Sequence, residues 1–73
     1  MCQEALARLG ERVRVLRRTR ALTQSALAQL SGISRQYLSD IERGAAGPSS
    51  EVLAAIASAI GICVNELTQE PNS

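Results

Sequence analysis

Six polar side chains stand close together between positions 35 and 43: Arg35, Gln36, Tyr37, Ser39, Asp40 and Arg43. Arg35 can donate two hydrogen bonds to guanine O6 and N7, and Gln36 can pair with adenine N6 and N7. Ser39 can bond either a base or a phosphate. Asp40 would accept only from cytosine N4 and is repelled by phosphate, so orienting Arg35 or Arg43 is its other available role. Tyr37 can turn its hydroxyl to a base or lay its ring on the helix surface as packing. The chemistry on offer is hydrogen-bonded reading of a DNA major groove, provided the row is presented along one rigid edge.

The flanking residues predict how that edge is held. Gln24 to Arg43 reads as two short helices hinged at Gly32, with Leu27, Ala28, Leu30, Ile33, Leu38 and Ile41 as the apolar positions. Leu27 and Leu30 lie three apart, as do Leu38 and Ile41, so each helix has one face to bury. Gly32 can adopt the positive φ that closes a helix, and Ser34 can cap the next one through its side-chain oxygen. Small Ala28 suits the inner side of a tight helix crossing.

The rest of the chain also reads as helix. Gln3 to about Arg20 has Leu6, Leu9, Val13 and Leu16 on one stripe, with Glu4, Arg8, Glu11, Arg12 and Arg18 off it. Glu4 and Arg8 form a favourable i,i+4 pair, and Arg17, Arg18 and Arg20 place positive charge at the negative end of the helix dipole. Thr23 is expected to cap the second helix. Pro48 forces a loop over 45–48. Ser49 or Ser50 then caps a fourth helix over Glu51 to Ile60, with Val52, Leu53, Ile56 and Ile60 inward and Gly61 as its stop. Val64 to Thr68 makes a last short turn, and residues 69–73 form a frayed tail. The expectation is an all-α single domain over residues 1–73, five helices around one aliphatic core.

Composition narrows the classes. With 73 residues, 45% hydrophobic and 21% charged, the chain resembles an ordinary soluble domain, and Tyr37 is its sole aromatic. A chain of this size buries only roughly 60% of its unfolded surface. Net charge is +1, but residues 1–43 hold all eight arginines against Glu4, Glu11, Asp40 and Glu42, a balance of +4. Residues 44–73 hold Glu51, Glu66 and Glu70 and no base, a balance of −3. A polyanion is drawn to the first half and repelled by the second. Histidine is absent, and Cys2 and Cys63 cannot supply the four ligands of a usual zinc site, so neither metal nor cofactor is expected. Cys63, between Ile62 and Val64, reads as a small buried hydrophobe. Without histidine or a base beside a nucleophile, an enzyme is not expected. No apolar run of about 20 residues or signal peptide appears, which places the chain in the cytoplasm.

The pattern LRRTRALTQSALAQLSGISRQYLSDIERG followed by LAAIASAIGICVNEL resembles the phage repressor and Cro-like helix-turn-helix family across residues 5–68. Its carriers are the LRxxR helix end, Thr23-Gln24 opening helix 2, Ala28 and Gly32 at their offsets, and Ile41-Glu42-Arg43-Gly44. The resemblance implies a lambda-repressor-like domain whose helices 2 and 3 form the helix-turn-helix. It further implies a sequence-specific transcriptional regulator of double-stranded DNA, bound to a palindromic operator as a homodimer with helix 3 in the major groove. A restriction–modification controller fits that class; an antitoxin or protein-interaction module on the same fold is the alternative. By position, Arg17 and Glu42 match a partly buried ion pair tying helix 1 to helix 3. Base contacts fall to Arg35, Gln36, Tyr37, Ser39 and Asp40. Phosphate contacts fall to Gln24, Ser34 and Arg43, although Arg43 could serve only the helix dipole. Ile60, Ile62, Val64 and Leu67 are the expected dimer face, or else they finish the core. Relatives often carry Ser or Thr where Cys63 stands, and a thiol is a poor helix cap.

Overall fold

Three helices begin at a hydroxyl side chain that takes up an otherwise unpaired backbone N–H. Thr23 Oγ1 accepts from Ala26 N at 3.0 Å, Ser34 Oγ from Tyr37 N at 3.0 Å, and Ser49 Oγ from Val52 N at 3.2 Å. In the computed structural model, which describes residues 3–68, the elements are α1 (Gln3–Thr19), α2 (Gln24–Ser31), α3 (Arg35–Glu42), α4 (Ser50–Ile60) and α5 (Val64–Thr68). Tail residues 69–73 and Cys2 lie outside the described residues. Ser49 is the α4 cap, so that helix starts one residue earlier than expected, and Arg43 is the C-cap of α3 rather than part of it.

The α2–α3 corner closes as its residues require. Gly32 takes φ 72°, and backbone N–H groups reach back to Ala28 O and Gln29 O. At the end of α1, Ala21 N bonds Arg18 O and Leu22 N bonds Arg17 O, the paired closure of a helix that turns through a left-handed residue. That residue is Ala21, at φ 58°, where glycine is usual.

Packing centres on Val13, Leu27, Leu38, Ile41, Ile56 and Leu67, the largest fully buried side chains. α2 lies mainly on α4, and α1 mainly on α3. The α1–α3 crossing is close because Gly10 has no side chain: a Cβ there would meet Ile41 O and stand 2.7 Å from Glu42 O.

Two expectations fail here. Leu30 is 62% exposed instead of facing the core. Successive helical residues are rotated by about 100°, so a face shared by Leu27 and Ala28 leaves Leu30 about 110° from its centre. Cys63 is exposed, because it lies at the corner before α5 and not within a packed helix. Ile60 and Leu67 are 3% and 1% exposed; they complete the core of the single chain, the second of the two roles the sequence leaves open for them.

One polar contact is built into the α1–α3 seam. Arg17 Nε donates to Glu42 Oε2 at 2.7 Å and Arg17 Nη2 to Glu42 Oε1 at 3.1 Å, with side chains 9% and 3% exposed. Arg17 Nη1 donates to Leu22 O at 2.8 Å, and Gln24 Nε2 donates to Glu42 Oε1 at 3.1 Å. The cluster therefore joins α1, the α1–α2 turn, the first residue of α2 and the last residue of α3.

Two stability effects follow. Gly10→Ala should lower unfolding free energy by about 1–3 kcal/mol in urea titration, because backbone carbonyls must move; the gain in helix propensity, about 1 kcal/mol, does not offset this. A variant at least as stable as the parent would contradict the close crossing. Glu42→Ala, which leaves the Arg17 guanidinium buried without its carboxylate, should cost about 3–5 kcal/mol. A loss below about 1 kcal/mol, the range of exposed pairs, would show that the pair is solvated instead.

Candidate nucleic-acid interface

The cap at Ser34 and the core contacts of Leu38 and Ile41 fix the rotation of α3. With those two residues inward, Arg35 and Gln36 are exposed, Ser39 and Asp40 half-buried, and Arg43 exposed just beyond the helix. Tyr37 is half-buried and packs against the core, so of its two expected roles the ring serves as packing. Arg35 makes no hydrogen bond or ion pair among the described residues, which leaves its five N–H donors free.

Asp40 is the hub of this surface. Its Oδ1 accepts from Gln36 Nε2 at 3.1 Å and also from Arg43 Nη2. Of the two partners that the sequence suggests for its carboxylate, the structure supplies Arg43 and not Arg35. The bond to Gln36 was not anticipated, although an i,i+4 Gln–Asp spacing on a helix carries that signal.

Beside α3 lies an open concavity of about 640 Å³ lined by Arg14, Arg17, Arg18, Thr23, Gln24, Ser25, Arg35, Ser39, Glu42 and Arg43. Five arginines face it and a single carboxylate, that of Glu42, which is already bonded to Arg17 and Gln24. Arg14, Arg17 and Arg43 are each paired with a carboxylate, so the site's uncompensated positive charge rests on Arg18 and Arg35. The first turn of α2 opens on the same space, where N–H groups and the helix dipole favour an anion. Arg18 has no partner among the described residues, and Arg14 pairs with Glu11 at 3.0 Å on the exposed side of α1. The Nε atom of Arg14 is buried without a hydrogen-bond partner.

The structure brings Gln24, Ser39, Arg35 and Arg43 to one site. Ser34, Gln36, Tyr37 and Asp40 are not among the lining residues: the Ser34 oxygen is engaged as the α3 cap, Tyr37 packs on the core, and Gln36 and Asp40 lie on the neighbouring stripe of α3. Arg14, Arg18 and Ser25 complete the site and are absent from the sequence-based set. Their signal was available: Arg14, Arg17 and Arg18 are spaced i, i+3, i+4 and must share one face of a helix. Of the four expected pairing residues, only half-buried Ile62 and 38%-exposed Val64 reach the surface.

Comparison with known proteins places this geometry. Residues 8–69 match the family model described as a helix-turn-helix domain. The immunity repressor protein of Bacillus phage phi105 is 44% identical over 62 residues, covering 85% of this chain and 43% of the relative. The HTH-type transcriptional regulator DdrOP3 of Deinococcus deserti is 45% identical over 62 residues, covering 85% of this chain and 48% of the relative. The chain thus spans a little under half the length of these two relatives. The crystal structure of the restriction-modification controller protein C.AhdI from Aeromonas hydrophila superposes with a TM-score of 0.84 at 39% identity, covering 85% of this chain and 94% of that one. The helical order, the capped corner at Gly32 and these likenesses agree: the chain belongs to the helix-turn-helix domain family.

Proposed function

We propose that this chain binds double-stranded DNA sequence-specifically and acts as a transcriptional regulator. The observation that carries the reading is continuity: the exposed polar edge of α3 runs directly into a concavity faced by five arginines. A duplex offers two features at a matching separation of function, base edges in the major groove and phosphates along its rim. In this reading α3 enters the groove, and Arg35 and Gln36 bond base edges. Arg14, Arg18, Arg43, Gln24 and the first amides of α2 hold the adjoining phosphates. Named relatives support it, since they include an immunity repressor, a transcriptional regulator and a restriction-modification controller.

A single helix contacts too few base pairs to single out an operator. We infer a homodimer on an inverted repeat, with reading helices about 34 Å apart. The surface left for pairing is the C-terminal side around Ile62 and Val64, which also lacks basic residues from position 44 onward. A restriction–modification controller is the subclass we favour, supported by the likeness to C.AhdI over 85% of this chain and 94% of that one.

Selection from a random duplex pool should enrich inverted repeats; an unenriched pool would defeat the reading. Arg35→Ala should relax preference at one base pair in each half-site, at a cost there of about 1–3 kcal/mol. Arg18→Ala should weaken all duplexes alike and make the dependence of log affinity on log salt shallower by about 0.9 per subunit. Gln24→Ala should also weaken all sequences, but leave that slope unchanged because no charge is lost. A change of sequence preference in either variant would contradict the division of labour between α3 and the concavity.

A further inference from the structure

Gln36 is an ambivalent reader when its amide is free. The amide nitrogen carries two hydrogens and the oxygen accepts, so the group can offer donor plus acceptor, or donors alone. Adenine presents an acceptor at N7 and a donor at N6, whereas guanine presents acceptors at N7 and O6. A freely turning glutamine can therefore satisfy either purine.

In this structure the group is not free. Gln36 Nε2 donates one hydrogen to Asp40 Oδ1 at 3.1 Å, and Arg43 Nη2 holds the same oxygen. Turning the amide over would set Gln36 Oε1 against the carboxylate, two acceptors facing each other. What remains for DNA is one N–H and one carbonyl oxygen, in a fixed order. That pair matches N7 and N6 of adenine. Against guanine it makes one bond and places its oxygen beside an acceptor, with no donor to meet it. Arg43 contributes a second element, since its charge lies beside a carboxylate that would otherwise repel phosphate.

We propose that Asp40 is a specificity-positioning residue: by occupying one amide hydrogen of Gln36, it converts a glutamine able to read either purine into a reader of adenine over guanine. The proposal rests on α3 lying in the major groove, and its test separates the two. Operator selection and binding are compared for the unmutated chain, Asp40→Ala, Asp40→Asn and Gln36→Ala, each checked for an unchanged thermal transition. The unmutated chain should prefer adenine over guanine by about tenfold at one base pair per half-site. In Asp40→Ala that ratio should fall to within about twofold, with preferences at other positions kept. Asp40→Asn should retain the ratio, because its amide oxygen accepts the same bond while the charge is gone. In Gln36→Ala the preference at that base pair should vanish, and adding Asp40→Ala should change nothing further there. The Asp40 proposal is overturned if Asp40→Ala keeps the parental ratio, or if Asp40→Asn loses it equally. If the unmutated chain enriches no sequence at all, the groove assignment itself fails.

Discussion

The buried pair between Arg17 and Glu42 is the constraint on which the rest of the molecule depends. Neither side chain can be removed from water cheaply, and the attraction between them offsets that cost only with good geometry. Here the geometry is bidentate, and the remaining demands are met by Leu22 O and the Gln24 amide. Such a cluster contributes little to net stability compared with well-packed aliphatic residues of the same volume. Its effect is positional. The end of α1, the start of α2 and the end of α3 are fixed to one carboxylate, and those three ends form the walls of the arginine-faced concavity.

Fixing these ends has an electrostatic consequence. Five arginines around one concavity repel one another, and a small domain has little stability with which to resist, roughly 4–11 kcal/mol at this length. Glu42 neutralises part of that charge from beneath while staying out of reach of solvent, at 3% exposure. Asp40 plays the matching part at the surface, beside Arg43 and Gln36. Of the five arginines, those left without a carboxylate among the described residues, Arg18 and Arg35, both face the concavity beside which α3 presents its row.

Much of this was legible in the residues, and each exception has a physical cause. Thr23, Ser34 and Gly32 act through bonds within a few positions, so their spacing is enough to place α2 and α3. The Arg17–Glu42 pairing came through resemblance, since nothing local connects residues 25 apart. Leu30 and Cys63 were misjudged: Leu30 falls off the face that Leu27 and Ala28 define, and the apolar neighbours of Cys63 do not reveal that it sits at a corner between helices. Gly10 carries no local signal at all; its reason is a carbonyl on another helix. Arg14 and Arg18 were visible as a face, but their meaning depends on what α2 and α3 bring opposite them. Ala21 shows the converse, a left-handed closure formed without the glycine that would announce it.

The central claim is that the α3 edge and the arginine concavity form one continuous contact surface. Titration of the isotope-labelled chain with a selected duplex, followed by amide and arginine side-chain NMR shifts, tests it most directly. The account predicts the largest changes at Thr23 to Ser25, at Arg35 to Arg43, and at the guanidinium groups of Arg14 and Arg18. Changes concentrated instead on α4 and α5, with Arg35 and Arg18 unmoved at saturation, would contradict it.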